Sequence, residues 1–398
     1  MRARTDAKCQ GGLLLCLVAA AWLGTGPIVW AQATAVPPAS GDGTGSLGLK
    51  EGAKISSERV EEIYRKILLD WSAGETERAP EELIQLETAA IVDGEPKTRK
   101  ALLGAEQRVI HQVGAADLEV LVPIAVLHHE AYRRLLERRT RGEAMAMVHT
   151  RSMARDLVIL YHEQSGSEGA GLVASRLLTS LGGLLLQSAQ QLPAGEMFQQ
   201  AAELDGKNVA ALLGLASIYE KNAQPETAVK QLRRALEADP ASAEAKLRLA
   251  LNLKRLDQTA EAGKLLEELT AAVDSSWVTP LAFQELARLH SDKGRQAEAE
   301  KVLRKGIERH PDDMRLVIQL AAVLDRRGSA GEATALVEKL LASQPKAEAS
   351  ARYLYNTVRP EAFAPARSFL AENSRSRLPV LAQALNAPAE ASGMGLGR

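Results

Sequence analysis

The sequence contains almost no cysteine and few aromatic residues. Of its 398 residues, only Cys9 and Cys16 are cysteine, and 4% are aromatic. Both cysteines lie in the N-terminal segment 1–33, which carries the pattern of a removable signal, so the remaining chain offers no disulfide, thiolate metal site or cysteine nucleophile. The formal net charge is −1, which indicates no general affinity for nucleic acid or a membrane surface. Alanine and leucine dominate instead, as is typical of packed helices.

The N-terminal segment 1–33 has the pattern of a secretory signal. Basic residues precede the apolar stretch Gly11–Gly24, and Ala31–Ala33 has the small-x-small pattern of a cleavage site. The apolar stretch is short for a hydrocarbon layer of about 30 Å. We therefore expect export to the periplasm or the exterior, with an anchor formed by an uncleaved N-terminal segment as the alternative. Residues 34–54, rich in Pro, Gly, Ser and Thr, are predicted to be a disordered linker.

A regular spacing of prolines organises the centre of the chain. The distance from Pro311 to Pro345 defines one repeat, and Pro240 lies two such repeats before Pro311, with a short insertion. Counting back from each proline gives five units of equal length: Ser175–Asn208, Val209–Ser242, Ala243–Ser276, Pro280–Asp313 and Met314–Ala347.

The same unit positions carry the same kind of residue in all five units. Position 8 is small: Gly182, Ala216, Ala250, Ala287 and Ala321. Position 20 is always alanine: Ala194, Ala228, Ala262, Ala299 and Ala333. Each unit has two amphipathic segments joined by a polar turn, and two antiparallel helices approach closely where small side chains lie at their crossing. One such pair cannot bury its own apolar face, so stacked pairs are predicted.

This pattern resembles the tetratricopeptide repeat family, whose helix–turn–helix unit has the same length. The second unit matches best, at Leu212, Leu215, Ala216, Tyr219, Ala228, Leu232, Ala235 and Pro240. The resemblance implies an all-α fold, a right-handed α-solenoid in which the first helix of each unit lines the concave surface. It also implies a groove for a protein or peptide, with ligand contacts at unit positions 2, 5, 9, 12 and 13. In the three central units the last four of these positions are Leu213, Ser217, Glu220, Lys221, Leu247, Leu251, Lys254, Arg255, Gln284, Arg288, Ser291 and Asp292.

Helical segments are also predicted on both sides of the repeats. Residues 55–174 show helical periodicity throughout, so we expect an all-helical N-terminal section, either degenerate repeats continuous with the array or a separate small bundle. Residues 348–387 are predicted to form capping helices over the last unit. Residues 388–398 are predicted to be a disordered tail.

The sequence shows no catalytic motif. His128-His129-Glu130 lacks the second histidine that a zinc-protease helix places four residues after the first, so these histidines are predicted to lie on a helix surface. Phosphate-binding loops and serine nucleophile elbows are also missing, and packing explains Gly182 and Gly183 better than phosphate binding. We therefore expect a non-enzymatic protein without cofactor or metal.

One charged segment stands out. Seven arginines lie between positions 133 and 155: Arg133, Arg134, Arg138, Arg139, Arg141, Arg151 and Arg155. They indicate either a contact with an anionic partner or a solvated helix hairpin whose arginine stems cover apolar surface.

These patterns together predict a scaffold or adaptor of the cell envelope that binds a protein or peptide in a concave groove. An assembly factor for the envelope or a secretion system is a narrower alternative. An enzyme or small-molecule binder seated around His128–Arg155 is an alternative of another class.

Overall fold

A computed structural model describes residues 56–92, 96–138, 143–272, 277–342 and 363–386. These residues form sixteen α-helices and no strand, which confirms the all-α prediction. The helices are α1 Ser57–Ser72, α2 Arg78–Glu87, α3 Pro96–Ala116, α4 Leu121–Arg138, α5 Ala144–Ser165, α6 Glu168–Gln187, α7 Gln191–Leu204, α8 Val209–Lys221, α9 Pro225–Ala238, α10 Ala243–Arg255, α11 Thr259–Ala271, α12 Val278–Asp292, α13 Gln296–Arg309, α14 Met314–Arg326, α15 Ala330–Ala342 and α16 Ala364–Asn386. The predicted signal segment, linker and tail lie outside the described residues.

From α4 to α15 the helices pack as six consecutive antiparallel pairs, α4–α5 through α14–α15, and each pair packs on the next. The first helices of successive pairs lie side by side, with α8 and α10 joined by hydrogen bonds from Arg248, and they form one face of the stack. Helices α1–α3 precede the pairs, with α2 on α4, and α5 packs directly on α6. The arrangement is that of a solenoid, in which each pair contacts mainly its neighbours.

The turn within each of the five predicted units has the same backbone conformation. Unit position 15 has a positive φ in every unit: Ala189, Ala223, Asp257, Gly294 and Gly328. A left-handed residue ends the first helix and reverses the chain, and only two of the five are glycine, the residue that adopts this conformation without strain.

Side chains of the preceding segment cap several first helices. Asn208, Ser242 and Asp313 each accept a hydrogen bond from a backbone N–H in the first turn of α8, α10 and α14. Such caps satisfy amide groups that have no partner inside the helix. The short polar residue at the end of one unit therefore fixes where the next unit begins.

Small residues let the helices approach, as predicted. A Cβ atom on Gly182 would lie 2.8 Å from the ring of Phe198, and one on Gly214 would lie 2.6 Å from it. The ring of Phe198 therefore fills the space between α6, α7 and α8. The alanines at positions 8 and 20 of the second to fourth units are fully buried.

The first unit differs from its predicted frame. Helix α6 begins at Glu168, well before the predicted boundary at Ser175. By length and composition, α6 is the one helix in the described ranges that could cross a membrane, but 83% of its apolar window is buried in the fold. A core helix passes the same test, so α6 gives only weak evidence for a membrane span.

The described part of the predicted capping segment, residues 363–386, does not pack on the last repeat; residues 348–362 lie outside the described residues. Within residues 363–386, a single helix, α16, continues through Pro379 and packs against α1, α4 and α6 at the opposite end of the chain. Leu370 and Leu381 on α16 are buried. The ring of Phe363 stacks on Phe198 at 5.7 Å between centroids, in a space that the absent side chain of Gly183 leaves open. For residues 363–386 the predicted cap was wrong, because periodicity shows that a helix has an apolar face but not which surface covers it.

Candidate functional site

The structure divides the predicted groove residues into a buried group and an accessible group. The buried group consists of Leu213, Ser217, Glu220 and Leu247. Their burial removes them from any surface that a ligand could contact. The remaining eight residues are half-buried or exposed on α8, α10 and α12.

A buried ionic network explains why Glu220 is not available to a ligand. Arg248, with a relative exposure of 1%, donates hydrogen bonds to both carboxylate oxygens of Glu220 at 2.9 and 3.2 Å. Arg248 also donates to the carbonyl of Leu213 at 3.1 Å. Asn252 donates to Glu220 at 2.7 Å. This network joins α8 to α10. The sequence analysis missed Arg248 and Asn252 because they do not occupy the unit positions at which ligand contacts were expected.

An open pocket of about 250 Å³ lies between α10 and α12. It is lined by Leu251, Lys254, Arg255, Glu285, Arg288 and Asp292. Five of these six residues were predicted from the repeat positions. Glu285 was missed because it occupies unit position 6, and it holds the amine of Lys254.

The positively charged residues of this pocket differ in their ion pairing and exposure. Lys254 and Glu285 are both mostly buried and form an ion pair. Arg288, with 65% of its side chain exposed, lies 3.9 Å from the same carboxylate, and Arg255 is exposed. Guanidinium groups in this position can form two-pronged hydrogen bonds with a carboxylate. The pocket is therefore suited to an acidic group beside the half-buried side chain of Leu251.

The accessible surface continues onto α14. Ile318 is 53% exposed and occupies unit position 5 of the fifth unit, the position held by buried Leu213 and Leu247 in earlier units. Gln319 donates to the carbonyl of Gln284 at 3.0 Å, which ties α14 to α12. The sequence analysis could have found Ile318 by continuing the same column by one unit.

The remaining predicted residues lie at the edge of this surface. Lys221 is exposed at the end of α8, and Ser291 donates a hydrogen bond to Gln296 at 3.1 Å across the turn between α12 and α13. Neither lines the pocket.

The arginine-rich segment is largely paired within the protein. Arg133 donates to Glu130 at 3.0 Å, Arg134 pairs with Glu77 at 2.9 Å, and Arg138 pairs with Glu81. Arg155 pairs with its neighbour Asp156, while Arg139 and Arg141 lie outside the described residues. The pairing favours the hairpin interpretation over an anionic partner.

The prediction that His128 and His129 lie on a helix surface was wrong, since both are buried. Nε2 of His128 lies 3.2 Å from the hydroxyl of Tyr64, and Nδ1 lies 3.3 Å from Glu87. Nε2 of His129 lies 2.9 Å from the hydroxyl of Ser180. The apolar residues around this pair in α4 face the helices on both sides, so both histidines are enclosed.

Glu106 and His149 lie beside His128 and Glu87. Nε2 of His149 is 3.0 Å from Glu106, and both side chains are buried. Burial opposes protonation of His149, but the carboxylates of Glu106 and Glu87 outweigh it and raise its pKa to about 9. Burial also raises the pKa of Glu87 well above its usual value. No sequence spacing connects these residues. The sequence feature that could have indicated them is the occurrence of glutamate at helix positions that face the core.

Stacked helix pairs with a continuous row of first helices define the class of α-solenoid proteins. A family model of the tetratricopeptide repeat matches residues 209–252 and 280–323. The chain therefore contains tetratricopeptide repeats over these residues.

Several solved structures are similar. MamA is 20% identical, covering 45% of this chain and 97% of its own, with a TM-score of 0.38. A tetratricopeptide repeat protein from Parabacteroides merdae is 19% identical, covering 66% of this chain and 95% of its own, with a TM-score of 0.38. YrrB, described as a TPR protein with an unusual peptide-binding site, is 17% identical, covering 45% of this chain and 88% of its own, with a TM-score of 0.36. No curated protein matches the sequence.

Proposed function

We propose that this protein is a non-enzymatic scaffold that binds an acidic peptide segment of a protein partner on the surface formed by α10, α12 and α14. The observation that carries the proposal is the pocket between α10 and α12, where the guanidinium groups of Arg255 and Arg288 lie beside Leu251. Repeats of this kind present extended surfaces to their partners.

The binding surface combines apolar and cationic groups. Leu251 and Ile318 provide apolar contact, and the exposed arginines provide hydrogen-bond donors for one or two carboxylates. A peptide with an acidic residue followed by apolar side chains matches this order of groups. The surface near α4 and α6 is covered by α16, so binding is assigned to the C-terminal repeats.

We place the protein in the cell envelope, exported by its N-terminal segment, because residues 1–33 have the pattern of a signal peptide. Cell fractionation and the mass of the mature N-terminus test this assignment. A mature chain that retains residues 1–33 in the membrane fraction would indicate an anchor instead.

Charge reversal tests the groove. The full-length Arg255→Glu, Arg288→Glu variant is compared with wild type in affinity capture from the envelope fraction, followed by mass spectrometry and binding of short peptides tiled from the captured proteins. We expect at least about tenfold weaker peptide binding, because a hydrogen bond to a charged group contributes about 1.5–3 kcal/mol.

The matched control reverses two exposed charges on α9, with Lys230→Glu and Arg234→Glu. It changes the net charge by the same amount but leaves the pocket intact, so binding should stay as in wild type. Equal losses in both variants would show a non-specific charge effect and overturn the assignment to the pocket.

A further inference from the structure

Three buried ionisable side chains from three helices meet inside the N-terminal section. Glu87 lies at the end of α2, Glu106 in α3 and His149 in α5, and one potential ligand atom from each lies within 4.8 Å of the others. All three residues are buried, with exposures of 0%, 1% and 3%. Two carboxylates enclosed in an apolar interior are costly unless a positive charge or hydrogen bonds compensate them.

Hydrogen bonds do not provide that compensation for Glu87. Neither of its carboxylate oxygens has a hydrogen-bond partner among the described residues, although both are fully buried. Nδ1 of His128 approaches one oxygen at 3.3 Å without suitable hydrogen-bond geometry. Because neither oxygen accepts a hydrogen bond, both are available to bind an ion.

The backbone beside Glu87 is also unusual. Helix α2 ends at Glu87 and passes into a π-helical turn over Thr88–Val92. Such turns are rare and occur frequently at functional sites, because the extra residue re-aims the side chains around it. The turn packs against α3 and α5, the helices that carry the other two residues.

We propose that Glu87, Glu106 and His149 bind one divalent first-row transition-metal ion, with Zn²⁺, Mn²⁺ or Fe²⁺ as the chemical class. A dication neutralises two carboxylates, and imidazole with carboxylate is a donor set these metals accept. In a tetrahedral shell with bonds of about 2.0–2.1 Å the ligand atoms would be about 3.4 Å apart. The observed separations reach that spacing through side-chain movements of roughly 1 Å, within fixed helix positions.

The burial indicates a structural role for this metal. An ion held by one residue each from α2, α3 and α5 would cross-link α5 to two helices that precede it in the chain. Nδ1 of His128 lies 3.3 Å from Glu87, and Tyr64 holds the other ring nitrogen of His128 at 3.2 Å, so His128 would orient the Glu87 carboxylate once a metal ion shifts it into hydrogen-bonding geometry. Outer partners of this kind orient metal ligands.

Metal content and metal-dependent stability test the site. The full chain is purified, its metal content is measured by mass spectrometry, and the chelator-treated protein is titrated separately with Zn²⁺ and Mn²⁺ by calorimetry and thermal unfolding. We expect one ion per chain and a rise in Tm of about 5 °C at a 100-fold excess over Kd.

Variants identify the ligands. Glu87→Gln and Glu106→Gln should each weaken metal binding by at least about tenfold. Glu87→Gln is the key variant because its carboxylate makes no hydrogen bond that the fold would lose, so the variant should fold even if His149→Gln does not. In the absence of metal, the Tm of Glu87→Gln should equal or exceed that of the wild type. In the presence of metal, the Tm of Glu87→Gln should be lower than that of the wild type.

Two matched controls share the burial but lie outside the cluster. Glu82→Gln changes a buried carboxylate on α2 that pairs with Lys66 at 3.1 Å, and His129→Gln changes a buried histidine beside Ser180. Both should keep wild-type metal affinity. The proposal is overturned if the chain takes up no metal at millimolar Zn²⁺ or Mn²⁺, or if Glu87→Gln binds metal as tightly as wild type.

Discussion

The N-terminal and C-terminal parts of the stack use the same helix pair in opposite ways. In α4 and α6 the inner face is covered by α16, and polar residues such as His129 and Ser180 are enclosed within the packing. In α10, α12 and α14 the corresponding face remains accessible, with Arg288 and Ile318 exposed. The repeat geometry alone therefore does not make a binding surface; what matters is whether the chain itself covers it.

The two parts also differ in where their ionic groups lie. The N-terminal section buries Glu87, Glu106 and His149 together, whereas in the described repeats the fully buried charged network is the one around Arg248, and pairs such as Arg233–Glu261 lie at the surface. Buried ionic groups cost desolvation and make the surrounding packing sensitive to loss of one partner.

Removing Arg248 should have the largest effect in the repeats. Arg248→Met leaves Glu220 buried without its partner, so we expect the free energy of unfolding to fall by about 3–5 kcal/mol. Urea unfolding measures the change, and Glu220→Gln added to Arg248→Met should recover part of it.

The control for this prediction is Arg233→Met, which removes an exposed pair with Glu261 at 3.1 Å. A change below about 1 kcal/mol is expected there. If Arg248→Met also costs less than about 1 kcal/mol, Glu220 reaches solvent and becomes available to a ligand after all.

Phe363→Ala should release α16 from the N-terminal pairs. The ring is 2% exposed and stacks on Phe198, and removing a buried phenylalanine ring costs about 3 kcal/mol. Hydrogen exchange should accelerate in α16 and along the inner face of α4 and α6. Leu192→Ala, at a residue that is 83% exposed, is the control.

Exchange in α10, α12 and α14 should remain unchanged in Phe363→Ala. Faster exchange in these helices would show that α16 also supports the accessible surface, and the contrast between the two parts would not hold.

The repeat pattern predicted most of the fold because it repeats local physics. Position 8 is small in every unit since two helices cross there, and the positions of Ala216 and Ala250 could be assigned without knowing any partner. The course of α16 could not be predicted, because an apolar face does not specify which distant helix covers it. The burial of Leu213 and Leu247 was missed for a related reason. The expected ligand-contact positions are the same in every unit, whereas the packing of each unit depends on its neighbours.

Sequence reasoning also could not bring Glu87, Glu106 and His149 together. They lie on three helices with unrelated spacings, and their proximity is a product of tertiary packing. The proximity of Arg255 and Arg288 was easier to predict, because equivalent ends of adjacent helices meet wherever the repeat is regular.

Acid should destabilise the N-terminal part selectively through His129. The pKa of His129 is lowered to about 4, chiefly by burial; Glu130 opposes this shift, while Arg133 and Arg367 add to it. The unfolded chain binds a proton at this histidine near pH 6.5, and the folded protein does not. The stability that the neutral, buried His129 contributes is therefore fully present above pH 6.5 and is lost as the pH falls towards 4. We expect a loss of about 2 kcal/mol between pH 7 and pH 5.

Comparing the pH dependence of unfolding in His129→Gln and wild type measures this contribution; the variant should show a shallower decline. His111→Gln, at an exposed histidine, should retain the wild-type slope. In the repeats His290 and His310 are only half-buried, so hydrogen exchange at pH 5 should rise first in α4 and α6. A uniform rise along the stack would contradict the assignment to His129.

The turn within each of the five repeat units has the same conformation in both parts, and changing it should give the smallest effect. Ala223 has a φ of 55° and Ala189 a φ of 60°, a conformation that costs an L-residue about 1–2 kcal/mol. Glycine removes this strain but increases the freedom of the unfolded chain, so Ala223→Gly should raise the free energy of unfolding by about 0.5 kcal/mol. Gly294→Ala is the matched reverse change: its φ is 73°, and an added Cβ would meet no atom within 4 Å, so its cost of about 1 kcal/mol is that of the backbone alone. Equal gains for Ala189→Gly and Ala223→Gly in chemical unfolding would show that the turn contributes the same in both parts. A loss on Ala223→Gly would mean that the alanine methyl group stabilises its turn by more than the left-handed backbone costs.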